Sequence, residues 1–337
     1  MRLLLFVLLA LAGLALPGWI APSLPPVQRA MPAPTPATDV KTIALSFDDL
    51  PRGPGGFYTP EERTRVMIDG LRRAGVTQVA FFVNPGRIGP NNDGAARADA
   101  YVAAGHVIAD HSFSHRDLST MSAEAFLADV DKAEAWLRPR AGYRPWFRFP
   151  GLNQGGRDRA KRQAVLQGLA QRGLLVAAVT ADGSDWNIDG KVRDAKLAGR
   201  PIDEAALQRL YVETMVQAAD FSDGVMRRAI GRSPAHMLLL HETDLAARYL
   251  VPLVEALRRD GWRIITADQA YADPVYHAPL DVITANGTLT EAIAFEKQVK
   301  GPWAYERTDP RVADKLLEDR VFRAAGAAPS AAVVAAR

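Results

Sequence analysis

The chain has 337 residues, no cysteine and a formal net charge of only +3. Its 48% hydrophobic and 23% charged residues are those of an ordinary soluble globular protein, and the missing cysteines exclude disulfides, thiolate metal sites and cysteine nucleophiles. The pI of about 9.1 comes with no dense basic stripe, which argues against a nucleic-acid partner.

The N-terminus reads Met1, Arg2 and then an apolar run from Leu3 to Leu16, the pattern of a secretory signal. Gly13 and Ala15 are small residues at the spacing for cleavage after Ala15. Uncut, residues 3–21 are barely long enough to anchor the protein in a membrane. We therefore assign 1–21 as a signal peptide or signal anchor and expect an exported protein of the periplasm or cell envelope. Residues 22–40, rich in Pro and Ala, read as a stiff tether.

From Lys41 onward, strand and helix patterns alternate. Apolar, β-prone runs occur at 42–47, 78–83, 106–109, 146–149, 174–180, 236–240 and 262–266. The clearest helix begins at Thr59, with Pro60 at its first position and Glu62 completing a capping box, and stops at Gly75. A second runs from Ser122 to Leu137. A third carries Leu250, Val254 and Leu257 on one face and ends at Gly261. Seven strands alternating with helices predict an α/β fold, either a parallel barrel or a doubly wound sheet, with its chemistry at the C-terminal strand ends. After residue 275 the alternation fades. Residues 276–337 read as a C-terminal extension, helical around Asp314–Phe322 and ending in an Ala-rich tail.

Five strand ends carry ionisable groups. Asp48 and Asp49 follow the first strand, just before Pro51, which cannot continue the ladder. His111 and His115 have the spacing that puts two imidazoles on one face, though such a pair alone serves equally in a core or on a surface. Arg148 closes the fourth apolar run, Asp182, Asp185 and Trp186 follow the fifth, and His241 ends the sixth. Each residue alone has a bland account as a turn or surface group; their shared address points to a site.

The segments Ser-Phe-Asp-Asp-Leu-Pro (46–51), Gly-His-Val-Ile-Ala-Asp-His-Ser-Phe-Ser-His (105–115), Phe-Arg-Phe-Pro-Gly (147–151), Asp-Gly-Ser-Asp-Trp (182–186) and Leu-Leu-Leu-His (238–241) resemble, in order, the five motifs of the polysaccharide deacetylase family. The resemblance covers roughly residues 41–272, and we place a catalytic domain at 41–275. It implies a distorted (β/α)7 barrel acting on an acetylated polysaccharide. It further implies a divalent ion, usually zinc in this family, on Asp49, His111 and His115. In the same resemblance Asp48 is the base, paired with Arg148, and His241 is the acid, oriented by Asp185. The Gly151 N–H supports the oxyanion, and Trp186 and Leu240 are apolar walls. Two positions depart from the family pattern: Leu50 replaces a glycine, and Gly151-Leu152 replaces an aromatic after the proline. Removal of N-acetyl groups fits the motifs best. The alternatives are an O-acetyl esterase, a metal-free amidohydrolase and an inactive glycan-binding domain.

Overall fold

The computed structural model describes residues 40–89, 92–280, 282 and 285–323. The assigned signal or anchor, all of the tether but its last residue, and the C-terminal tail lie outside them. Among the described residues no helix is long and apolar enough to cross a membrane.

Among the described residues eight strands form one all-parallel sheet: β1 (Thr42–Leu50), β2 (Ala80–Val83), β3 (Val107–Asp110), β4 (Tyr143–Phe147), β5 (Leu175–Val176), β6 (Ala181–Asp182), β7 (Ala235–His241) and β8 (Arg263–Ile264). Their order is β5-β4-β3-β2-β1-β7-β6, with β8 wedged beside the first residues of β1. The fold is the expected distorted barrel, open between β5 and β6. The apolar run 174–180, read from sequence as one strand, forms only the short β5, and β6 begins just after it. β5 pairs with β4, and the chain then crosses to pair β6 with β7.

Among the described residues ten helices accompany the sheet: α1 (Pro60–Arg73), α2 (Gly94–Ala103), α3 (Ala123–Leu137), α4 (Arg159–Gln171), α5 (Asp185–Leu197), α6 (Glu204–Ile230), α7 (Asp244–Arg259), α8 (Ala267–Tyr271), α9 (Leu289–Glu296) and α10 (Pro310–Leu317). The Thr59–Glu62 capping box is present, Ser122 caps α3, and α7 contains the third predicted helix.

Strands covered on both faces are apolar on both. In β1, Ile43, Leu45 and Phe47 pack outward with the α1 and α7 side chains Leu71 and Leu250. Ala44 faces the other way, with Ala80, Phe82, Ala109, Met237 and Leu239. Because successive strand residues alternate faces, these inner rows continue to particular residues at the strand ends. Ala44 and Ser46 lead to Asp48, Val107 and Ala109 to His111, Trp146 to Arg148, and Met237 and Leu239 to His241. Four functional candidates thus crown the interior rows of four strands.

The turn after β7 is fixed by buried charge. Glu242, fully buried, accepts from Arg63 Nε (3.1 Å), Arg97 Nη2 (2.6 and 2.7 Å), Tyr101 (3.2 Å) and the Arg52 N–H (3.0 Å). Arg63 also donates to the carbonyls of Arg52 and Gly53, and to Asp244. Asp244 accepts in turn from the Phe57 and Tyr58 N–H groups. A side chain at Gly55 would collide with the Asp244 carboxylate, so only glycine fits there. The loop after β1 is thereby fastened to α1, α2 and the β7–α7 turn. Glu242→Ala, which leaves two buried guanidinium groups short of their anion, is expected to cost about 3–5 kcal/mol in denaturant unfolding. A loss under about 1 kcal/mol would contradict this role.

Candidate active site

In a regular strand Asp48 and Asp49 would point to opposite faces. The register between β1 and β2 passes from Phe47↔Phe81 to Leu50↔Val83, so β1 carries one extra residue there. Asp49 takes up the irregularity with φ 70, and both carboxylates reach the same cavity. Asp48 Oδ1 accepts from Arg148 Nη1 at 2.6 Å. The remaining Arg148 donors go to Ser46 Oγ (2.8 Å), the Ala177 carbonyl (2.9 Å) and Tyr271 OH (2.6 Å). The guanidinium also lies 3.8 Å from the centre of the Phe82 ring.

The histidine loop is shaped by its own polar residues. Asp110 Oδ1 accepts from the Ser112 N–H, Ser112 Oγ from the His115 N–H, and Asp129 from Ser114. Asn84 Nδ2 donates to the carbonyls of His111 and Ser112. Ser112 and His115 have φ 64 and 56. Of the six non-glycine residues with positive φ among the described residues, Asp49, Ser112, His115, Leu152 and Ser184 all lie in segments that build this site, which is where backbone strain is usually held.

His111 Nδ1 lies 2.9 Å from the Arg148 carbonyl, which can only accept, so its Nε2 is the unprotonated nitrogen of the neutral ring. Burial pushes the His111 pKa down to about 4, against the opposing pull of Asp48 and Asp49. Burial also raises Asp49, but His115, His241 and His111 together hold it well below the usual carboxylate range. Asp49 Oδ2 takes a hydrogen bond from Arg52 Nη1 (2.6 Å). Its buried Oδ1 makes none, although His115 Nε2 is 2.9 Å and His111 Nε2 3.8 Å away.

The three ligand atoms lie within 4.8 Å of one another. A cation held at about 2.0–2.2 Å from each requires such a cluster, and two imidazoles with one carboxylate are a donor set for a divalent ion. The buried Oδ1, which accepts no hydrogen bond but faces the two imidazoles and Arg87 Nη1 (3.3 Å), and the preset His111 tautomer both fit a bound metal.

His241 Nδ1 donates to Asp185 Oδ1 (2.7 Å), and its backbone N–H to Asp185 Oδ2 (2.9 Å). Asp185 is fully buried at the first position of α5. Burial alone would lower the His241 pKa; Asp185, helped by Asp49 and Asp48, raises it to about 9. Asp48, Asp49, His111, His115, His241, Gly151 and Trp186 line one cavity of about 540 Å³, and Arg148 and Asp185 stand behind it. Leu240 does not belong to it. It lies on the opposite face of β7 from His241, fully buried among the outer core residues, and Leu239 lines the cavity instead. The alternation of strand side chains carries that distinction in the sequence.

Further residues line the cavity, among them Asp182 from the fifth strand end noted in the sequence. Asp182, pushed up to about 6 by burial, accepts from the Ser184 N–H. Arg52 touches Asp49, and Thr288, Glu291, Trp303 and Tyr305 arrive from the C-terminal extension, which has no motif to reveal them. Tyr271, which braces Arg148, likewise carries no local signal.

The two aspartates are expected to separate by mutation. Asp49→Asn should lower zinc affinity at least tenfold in calorimetric titration, through loss of the anionic ligand. Asp48→Asn should bind one equivalent with affinity close to wild type. The reverse pattern would exchange their assignments.

Residues 35–170 match the family model described as polysaccharide deacetylase. A peptidoglycan-N-acetylglucosamine deacetylase of Bacillus cereus is 26% identical over 145 residues, which are 43% of this chain and 46% of that protein. A chitin deacetylase of Pestalotiopsis sp. is 32% identical over 116 residues, 34% of this chain and 36% of the relative. The chain thus spans less than half the length of these curated relatives. A solved family 4 carbohydrate esterase from Streptomyces lividans, in complex with acetate, aligns with a TM-score of 0.44 at 18% identity, over 68% of this chain and 95% of that one. The matched region contains Asp48, Asp49, His111, His115 and Arg148, and over it the chain is similar to the polysaccharide deacetylase family.

Proposed function

We propose that this protein is a metal-dependent hydrolase that removes N-acetyl groups from a polysaccharide of the cell envelope. The observation that carries the proposal is the pairing, in one cavity, of an arginine-held carboxylate at Asp48 with a carboxylate-held imidazole at His241, beside the Asp49–His111–His115 cluster. Curated relatives named as peptidoglycan and chitin deacetylases support the substrate class.

A divalent ion, zinc on the family resemblance, would be held by Asp49, His111 and His115, where it supplies Lewis acidity and makes water more acidic. Asp48 is the base that takes the proton of the attacking water, and Arg148 holds its carboxylate in place. The Gly151 N–H donates to the oxygen that becomes negative as the carbonyl carbon turns tetrahedral. His241 gives its Nε2 proton to the leaving nitrogen as the C–N bond breaks, and Asp185 stabilises the imidazolium until then. Acetate and a free amine are the products. An O-acetyl ester would use the same groups with less demand on His241, since an alkoxide leaves more readily than an amide anion.

His241→Ala is expected to lower kcat on N-acetyl glycans about a hundredfold or more, the scale of general acid catalysis. On 4-nitrophenyl acetate, whose leaving group needs no proton, the loss should be much smaller. Equal losses would contradict the role. His241 is active protonated and its pKa is raised to about 9, so wild-type turnover of the amide should decline as pH rises through about 9. A rate still rising beyond that pH would assign the proton to another group.

The envelope location rests on the apolar run after Arg2. A fusion of residues 1–40 to a reporter active only outside the cytoplasm should give signal. A well-expressed but silent fusion would refute export.

A further inference from the structure

We infer that residues 286–308 form a sugar-binding wall of the cavity, with Trp303 the platform on which a pyranose ring stacks. The inference rests on the deacetylase reading above and adds to it the residues that select the glycan.

The segment is built into the barrel at its weak point. Between β5 and β6 the ladder is broken, and carbonyls in the crossing stretch need donors. The Leu289 N–H donates to the Val179 carbonyl at 2.7 Å and Thr290 Oγ1 to the Thr180 carbonyl at 2.7 Å. The Gly287 N–H binds the Leu152 carbonyl, and Asn286 Oδ1 accepts from the Gln154 and Gly156 N–H groups. Further along, Tyr305 OH donates to Gln217 (2.9 Å), and Arg307 donates to Thr214 (3.0 Å) and Glu213 (2.6 Å), all on α6. Both ends of the wall are therefore fixed to the barrel and α6, and its cavity-facing residues are preorganised.

Trp303 is held in the same way. Its Nε1–H donates to the Val299 carbonyl at 2.6 Å, and Phe295 packs against it edge to face, 5.7 Å between ring centres. With its one polar atom satisfied inside the segment, the indole has only ring surface to offer the cavity. Such a surface suits the C–H face of a pyranose and not its hydroxyl edge. The turn at Gly151-Leu152 presents no ring, so Trp303 and the exposed Trp186 are the aromatic surfaces that line this cavity apart from Tyr305. Asp182 and Glu291 line it as well. Each is held by a neighbouring N–H, that of Ser184 or Thr288, and each can accept from sugar hydroxyls.

The test compares wild type with Trp303→Leu, which keeps apolar bulk against Phe295, and with Trp303→Phe, which keeps a ring. Acetate release is measured on peptidoglycan fragments, chitin oligomers and acetylated xylan oligomers, with 4-nitrophenyl acetate as a substrate lacking a sugar. For a glycan that wild type turns over, Trp303→Leu should raise KM about tenfold, and the ratio of kcat/KM on the glycan to that on the aryl ester should fall by a similar factor. Trp303→Phe should recover most of the loss. A glycan KM unchanged in Trp303→Leu, or a loss shared equally by the aryl ester, overturns the wall and leaves the deacetylase reading standing. Release of acetate from none of the glycans by wild type overturns that reading, and this inference with it.

Discussion

Arg148 is the residue on which the rest of the site depends. Its guanidinium, 1% exposed, joins Asp48 and Ser46 of β1 to the Ala177 carbonyl beyond β5 and to Tyr271 of α8. Its own carbonyl fixes the His111 tautomer. A single residue thus holds the proposed base, Asp48, in position and aims a nitrogen of the candidate metal cluster. Burying a guanidinium costs several kcal/mol unless charge and hydrogen bonds offset it. Here the offset comes from the Asp48 carboxylate and three neutral acceptors, so breaking any one contact loosens the geometry of the others.

The same logic recurs across the cavity. Asp185 spends both oxygens on His241, one on the ring and one on the backbone, which fixes the imidazole and raises its pKa. Glu242, the next residue, is saturated by Arg63, Arg97, Tyr101 and the Arg52 N–H. Buried anions therefore stand on either side of the peptide that carries His241, the proposed acid, and each has its own cationic or N–H partners. Positive φ at Asp49, Ser112, His115, Leu152 and Ser184 shows where the backbone departs from its preferred conformations to bring these groups together. The hydrogen bonds around Asp110, Asp129 and Asn84 hold the histidine loop in its strained form.

Much of this was legible in the sequence because it follows from local rules. The apolar runs located the strands, Thr59 and Ser122 marked helix starts, and the charged residues at strand ends marked the rim where the site forms. Strand alternation also separates Leu239, which lines the cavity, from Leu240, which the motif resemblance puts there but which side-chain parity turns into the outer core. Other features had no local signal. The extra residue at Asp49 depends on the register of a neighbouring strand, and the shortening of the run 174–180 to β5, with β6 starting only at Ala181, depends on which strands the chain meets. The 27-residue helix α6 and the cavity wall from residues 286–308 take their roles from contacts distant in sequence.

The central claim is that the irregular end of β1 turns two consecutive aspartates into one metal ligand and one base. Anomalous diffraction at the zinc edge from zinc-loaded crystals tests it most directly. The account predicts one anomalous peak within about 2.3 Å of an Asp49 oxygen and of Nε2 on both His111 and His115, with Asp48 still bonded to Arg148. A peak ligated by Asp48 in place of Asp49, or one lying away from both histidines, would contradict it.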